Sequence, residues 1–216
     1  MTYGPSPKTS IIAFAVMAGL MAFFIWQNNQ RIFADDGRLD IDLKGSVLHL
    51  SWRGVVEVPM ARHFSDAFRE YAQQSDKVVI NLSSPGGALS EGREVIRLID
   101  NMRRTHIVET NVGRFQDCLS MCVPIYLQGD ERSAAASSRW MFHEPRSVNI
   151  YTGEIERAPE FEQRMESEKF FNRYFVDSPM APAWRDQLAK DWKGKDVWKT
   201  GKELVNEESG IVLRLY

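Results

Sequence analysis

Asp117-Cys118-Leu119-Ser120-Met121-Cys122, with the run from Arg132 to Pro145 behind it, is the stretch around which the chain is organised. It sets a serine between two cysteines, where an extended segment (residues 106–113) gives way to an apolar, helix-compatible run (residues 121–127). A strand-to-helix corner exposes the first residues of the helix, whose N–H groups are unpaired and whose dipole favours developing negative charge. A hydroxyl placed there is a useful nucleophile, provided a base lies within reach. The nearest downstream histidine is His143, in Arg139-Trp140-Met141-Phe142-His143-Glu144-Pro145. Upstream, Ser83-Ser84-Pro85-Gly86-Gly87 offers bare backbone that can point N–H groups at an oxyanion. Together the three pieces point to an acyl-transfer site.

The surrounding pattern says what carries them. Residues 77–82 (Lys-Val-Val-Ile-Asn-Leu) form a short buried strand, followed by the loop 83–87. Residues 89–102 read as a helix with Val95, Ile96, Ile99 and Met102 on its inward face, and residues 106–111 as the next strand. Strand, helix, strand, helix implies parallel strands joined by right-handed crossovers, hence an α/β fold. In such sheets, sites form beyond the carboxyl ends of the strands, where the Gly86-Gly87 loop and the Ser120 corner both fall. Ahead of this unit, residues 47–52 alternate as a strand. Residues 59–71 repeat Met60, His63, Phe64, Ala67, Phe68 and Tyr71 at helical spacing, so His63 packs in that face rather than acting in catalysis. Behind it, residues 133–142 continue a strand pattern that delivers His143, and residues 146–158 are a polar loop or lid. Helices over 159–174 and 182–189, a loop over 193–200 holding Asp196, a helix over 201–206 and a strand over 210–215 close the chain.

The bulk numbers set bounds. With 216 residues the chain has room for one domain with a solid core. A net charge of −2 leaves no basic footprint for nucleic acid. The four histidines show neither i,i+4 pairing nor a nearby Cys-x-x-Cys, so neither metal nor cofactor is implied. The organisation reads as a short tail (1–10), a membrane anchor (11–30), a charged linker (31–44) and a catalytic domain (45–216). The uncharged apolar run 11–26 is a little shorter than the ~20 residues that span a bilayer comfortably, with Trp26 and the polar residues 27–30 at the interface. A cleavable signal peptide competes with this reading, since Lys8 precedes the run, but residues 27–33 separate it awkwardly from Ala34. A single N-terminal anchor with a short leading tail places the domain on the extracytoplasmic side of the cytoplasmic membrane.

Three blocks resemble the Clp-type serine peptidases, which share a fold with the crotonases, and more narrowly the membrane-attached or periplasmic ClpP-like proteins. Ile80-Asn81-Leu82-Ser83-Ser84-Pro85-Gly86-Gly87 is similar to that family's Asn-Ser-Pro-Gly-Gly loop with one extra residue, and Leu119-Ser120-Met121 to its Ala-Ser-Met nucleophile corner. Arg132, Ser138, Arg139, Met141, His143 and Pro145 fit the third block without a gap. The resemblance implies a ClpP/crotonase-like α/β fold with a parallel sheet and crossover helices, here preceded by one transmembrane helix. It implies Ser120 as nucleophile, His143 as general base and Asp196 as third triad member, with Asp191 and Asp186 as neighbouring alternatives. It implies an oxyanion hole at Gly87 and Met121, with Gly86 beside them, one of the two glycines serving the turn and the other the hole. Cysteines flank the nucleophile, the segment after His143 does not match the ring-assembly helix, and an anchor replaces a soluble entry. These departures argue against a sealed barrel with an ATPase partner and leave a homo-oligomer open.

Cys118 and Cys122, at i,i+4, are either two buried thiols or, in an oxidising compartment, a bridge that a helical geometry would strain. The leading expectation is a membrane-anchored serine peptidase acting on peptides or unfolded protein. An inactive ClpP-like peptide-binding module and a crotonase-like enzyme acting on acyl-coenzyme A are the alternatives. A serine–lysine mechanism using Lys190, Lys193 or Lys195 is a neighbour of the first.

Overall fold

A computed structural model describes residues 37–148, 155–156 and 159–216. The described chain begins with an antiparallel pair, Arg38–Lys44 (β1) and Val47–Arg53 (β2), turned at Gly45 with φ +59°. A positive φ suits the two-residue hairpin connection. The charged stretch read as a linker therefore ends in a strand. Its charges fall at Arg38, Asp40, Asp42 and Lys44, alternating with Leu39, Ile41 and Leu43. That is a period-two pattern, with the apolar set opposite Trp52, Leu50 and Leu48 of β2.

Met60–Tyr71 (α1), Lys77–Ser83 (β3), Leu89–Met102 (α2) and Ile107–Val112 (β4) follow. Next come Asp117–Leu119 (β5), Cys122–Tyr126 (α3), Glu131–Ala134 (β6) and Arg139–Phe142 (β7). Ser147–Val148 (β8) pairs with Ile155–Glu156 (β9). Glu160–Phe171 (α4) runs into a π-helical turn at Asn172–Val176, before Pro182–Asp191 (α5), Val197–Thr200 (β10), Gly201–Asn206 (α6) and Arg214–Leu215 (β11). Thr200 starts α6 with a reciprocal cap: its hydroxyl accepts from the Glu203 N–H, and the Glu203 carboxylate accepts from the Thr200 N–H.

The large sheet has the order β1-β2-β3-β4-β6-β11, and every pairing after β1–β2 is parallel. This is the parallel sheet with crossover helices expected from the sequence. On one face Leu48, Leu50, Trp52, Val78, Ile80 and Leu82 are buried in a core shared with Phe64 of α1 and Ile99 of α2. His63 is part of that packing, its ring edge-on to Trp52 at 6.4 Å between centroids.

Two local expectations change. Residues 133–142 are not one strand: β6 belongs to the large sheet and β7 to a second sheet of order β10-β7-β5. The chain turns between them where the Ser138 N–H and hydroxyl both donate to the Ala135 carbonyl, at 3.0 and 2.6 Å. The serine corner likewise does not follow β4 directly, because β5 intervenes and lies parallel to β7. The anchor expected over 11–30 lies outside the described residues. Among the described residues no helix is long and apolar enough to cross a membrane.

Candidate active site

The small sheet assembles the site. Its three strands share one edge: Leu119 of β5 pairs with Met141 of β7, and Phe142 of β7 pairs with Val197 of β10. One residue beyond each of these strand ends stand Ser120, His143 and Asp196, so the three come from adjacent strands although the chain separates them widely. Ser120 Oγ lies 2.8 Å from Nε2 of His143, which is hydrogen-bond distance for a nucleophile and its base. His143, and not a lysine, is its hydrogen-bond partner.

The corner at Ser120 is held from several directions. Its φ of +53° is in the left-handed region, where a residue with a side chain is strained by roughly 1–3 kcal/mol and persists only if its surroundings enforce it. Its N–H donates to the Met141 carbonyl at 2.9 Å, and its carbonyl accepts from Val123 N–H at 3.0 Å. Cys118 and Cys122 are bridged across it, with Cα atoms 5.2 Å apart. The bridge escapes the strain expected for a helical i,i+4 pair because Cys118 lies in β5 and only Cys122 is helical. With five residues, α3 is too short for a sizeable macrodipole, which sums over aligned peptides. Individual N–H groups must supply any positive potential here.

The glycine loop provides them. Ser84 is laid against β5 by its N–H donating to Asp117 O at 2.7 Å and its carbonyl accepting from Leu119 N–H at 3.0 Å. The next turn is closed by the Gly86 N–H donating to Ser84 Oγ at 3.1 Å. On its other side the loop is fastened to Val56, whose N–H donates to Gly86 O and whose carbonyl accepts from Ala88 N–H, both at 2.7 Å. Gly86 has φ +91°, and a Cβ there would sit 2.6 Å from Ser120 Cβ and 3.0 Å from Met121 N. Gly87 has φ +147°, and a Cβ there would sit 2.4 Å from the Val56 carbonyl oxygen. Neither position admits a side chain. The close approach of Gly86 sets the loop against the Ser120 corner; Gly87 is the next residue of that loop, and Met121 the residue after Ser120. Among the described residues neither N–H is spent in a backbone hydrogen bond.

The imidazole has a mixed environment. Burial lowers the pKa of His143 below its ordinary value, and the nearby Arg146 cation adds to the effect. A backbone contact with Glu144 and the charge of Asp196 oppose it. Among the described residues, Nδ1 of His143 is buried and has no hydrogen-bond partner, the Glu144 backbone lying near it without reaching bonding geometry. Asp196 does not supply one: its Oδ1 pairs with Arg146 Nη2 at 2.5 Å. Glu144 Oε2 accepts from the Gly194 N–H at 2.8 Å, tying the loop that carries Asp196 to the segment after His143. Asp186 and Asp191 lie on α5, against Arg185 and Gln187, and not on this edge.

Arg146 and Glu144 are the site residues that sequence reasoning missed. Arg146 fell in a polar segment read as a loop, and nothing in a cation three residues past a histidine marks an ion pair with a residue fifty positions away. Beside the edge opens a cavity of about 720 Å³, lined by Glu144, Phe171, Val176, Trp192, Lys193 and Gly194 among others. A concavity of about 790 Å³ lies elsewhere, rimmed by Arg93, Arg97, Arg103 and Asp130, and holds none of these groups.

The Clp protease family model matches residues 56–201, which takes in the glycine loop, the serine corner and the His143 and Asp196 strand ends. The chain belongs to the Clp protease family. Comparison with curated protein sequences gives no match. Among solved structures, ClpP1 from Listeria monocytogenes is similar at TM-score 0.59 and 21% identity, over 78% of this chain and 90% of that one. A serine-to-alanine variant of the 1510-N membrane-bound stomatin-specific protease is similar at TM-score 0.62 and 15% identity, over 79% of this chain and 78% of that one. A lysine-to-alanine variant of the same protease, in complex with a substrate peptide, aligns at TM-score 0.59 and 16% identity, over 79% and 74% of the two chains. At these identities the likeness is one of fold.

Proposed function

We propose that this protein is a membrane-anchored serine peptidase that hydrolyses peptide bonds on the extracytoplasmic side of the cytoplasmic membrane. The observation that carries the chemistry is the 2.8 Å approach of Ser120 Oγ to His143 Nε2 beside a loop too close for any side chain. Nε2 takes the hydroxyl proton as Oγ attacks the peptide carbonyl, and returns it to the leaving amine. The N–H groups of Gly87 and Met121 receive the negative charge that develops on the carbonyl oxygen, and Gly86 lets the loop lie close enough for this. Asp196 is the third member, orienting the imidazole through Nδ1 when its carboxylate is available. The disulfide beside the nucleophile agrees with an oxidising compartment, and the apolar run 11–26 with an anchor.

The family match and the fold shared with a membrane-bound protease support the peptidase reading over a crotonase-like one, in which a serine–histidine pair has no purpose. One observation favours the inactive binding module instead: the unpartnered Nδ1 of His143, with Asp196 engaged elsewhere. A fluorophosphonate probe separates the two. It should label the full chain at Ser120, and Ser120→Ala should abolish both labelling and peptide hydrolysis while leaving the fold intact. Absence of label and turnover in the parent and in every folded variant of the residues around His143 would instead identify a binding module. Fractionation should find the labelled chain in the membrane with its N-terminal peptide attached; a soluble, shortened chain would rule out the anchor.

A further inference from the structure

The ladder between β7 and β10 contains more than the strand ends. Its last pair is Phe142 with Val197, and the same antiparallel register carried one step past the ladder's end would set His143 opposite Asp196. Directly opposed residues project from the same face with Cβ atoms roughly 4.5–5.5 Å apart. The Asp196 backbone is therefore already placed for its carboxylate to meet the imidazole. The side chain has turned to Arg146 instead, while Nδ1 of His143 is buried without an acceptor among the described residues. One carboxylate has two claimants, and the guanidinium holds it.

Resting on the peptidase reading above, we propose that Arg146 is a positioning residue that keeps the enzyme latent by holding the Asp196 carboxylate away from His143. The contact that holds the carboxylate away is a weak one. The Arg146–Asp196 pair is about one third exposed on both sides, 35% and 34%, and a partly solvated ion pair contributes little. Against it stands a buried donor left unpaired, an unfavourable state that the carboxylate would relieve. The switch requires no strand to move, because Glu144 anchors the loop at Gly194 and the β10 register holds its other end. Only the Asp196 and Arg146 side chains exchange partners. Release acts on catalysis twice: it gives the imidazolium formed during attack its carboxylate, and it moves a cation away from it.

The test is Arg146→Gln in the full chain, with Arg146→Met as a second variant should either perturb folding, as read by thermal unfolding. Removing the guanidinium should raise the fluorophosphonate labelling rate and kcat for a peptide by at least about tenfold, within the ~10⁴ that a triad aspartate supplies. Arg146→Lys, which keeps a cation for Asp196, should stay near the parent. In Arg146→Gln a low-field imidazole N–H proton resonance should appear, and Asp196→Asn should remove both that signal and the rate gain. Folded Arg146 variants that label at or below the parent rate would overturn the latch. So would a rate gain that survives Asp196→Asn, since Arg146 would then act only through its charge. If neither parent nor variants take label, Ser120 is not activated and the peptidase reading falls together with the latch; a labelled parent with unresponsive variants sinks the latch alone.

Discussion

Gly86→Ala is the sharpest test of how Ser120 is placed. The added methyl would stand 2.6 Å from Ser120 Cβ and 2.7 Å from the Leu119 carbonyl oxygen, where ordinary contact begins near 3.4 Å. One of the partners is backbone, and Ser120 is held by the Cys118–Cys122 bridge across it and by its N–H bond to the Met141 carbonyl, so no flexible side chain can absorb the conflict. The corner or the loop must therefore move by most of an ångström. A displacement of about 1 Å between reacting groups can cost on the order of 10² in rate. The φ of +91° adds backbone strain of roughly 1–3 kcal/mol. The expected outcome is a fluorophosphonate labelling rate lower by about 10², with the unfolding midpoint down by only ~2–4 °C per kcal/mol of strain for a domain of this size. The assay is labelling and thermal unfolding on the same preparation. A Gly86→Ala protein that labels at the parent rate would show that the loop does not abut Ser120 in solution.

Three further outcomes follow from the same geometry. The pH profile of kcat/KM should rise as His143 loses its proton, since only the neutral imidazole can accept from Ser120. Because burial and Arg146 hold its pKa down, the acid limb should lie below the ordinary value of ~6.5, and a midpoint above that value would contradict the site's electrostatics. Reducing the Cys118–Cys122 bridge opens a very short loop, so chain entropy sets the stability loss at only about 2 kcal/mol. Labelling should fall further than stability, as the left-handed conformation of Ser120 loses a restraint; unchanged labelling in reductant would remove the bridge from the catalytic argument. A chain starting at Gly37 should unfold cooperatively, whereas one starting at Ser46 lacks β1 and should melt lower, because Leu39 and Leu43 then no longer pack on the core. Equal midpoints would mean that β1 contributes nothing.

Helices α2 and α6 and strand β3 were legible in the sequence, because their information is local. The 3.6-residue spacing of Val95, Ile99 and Met102 specifies one buried face without reference to anything distant. The family was legible for a related reason. A glycine loop, a serine corner and a histidine block, in that order, are segments whose residue types are demanded by backbone geometry, as the clash at Gly86 shows. β1 was also written there, in the alternation of charge with Leu39, Ile41 and Leu43, but its density of charge masked the period. What the sequence could not contain was register. That residues 131–142 divide between two sheets, and that the ends of β5, β7 and β10 meet at one edge, depends on hydrogen bonds between segments far apart in the chain. The fate of the Asp196 carboxylate is less legible still. Its backbone position follows from the β7–β10 ladder, but the choice between the Nδ1 of His143 and the guanidinium of Arg146 is a balance of burial against ion pairing, and only the folded surroundings of both partners decide it.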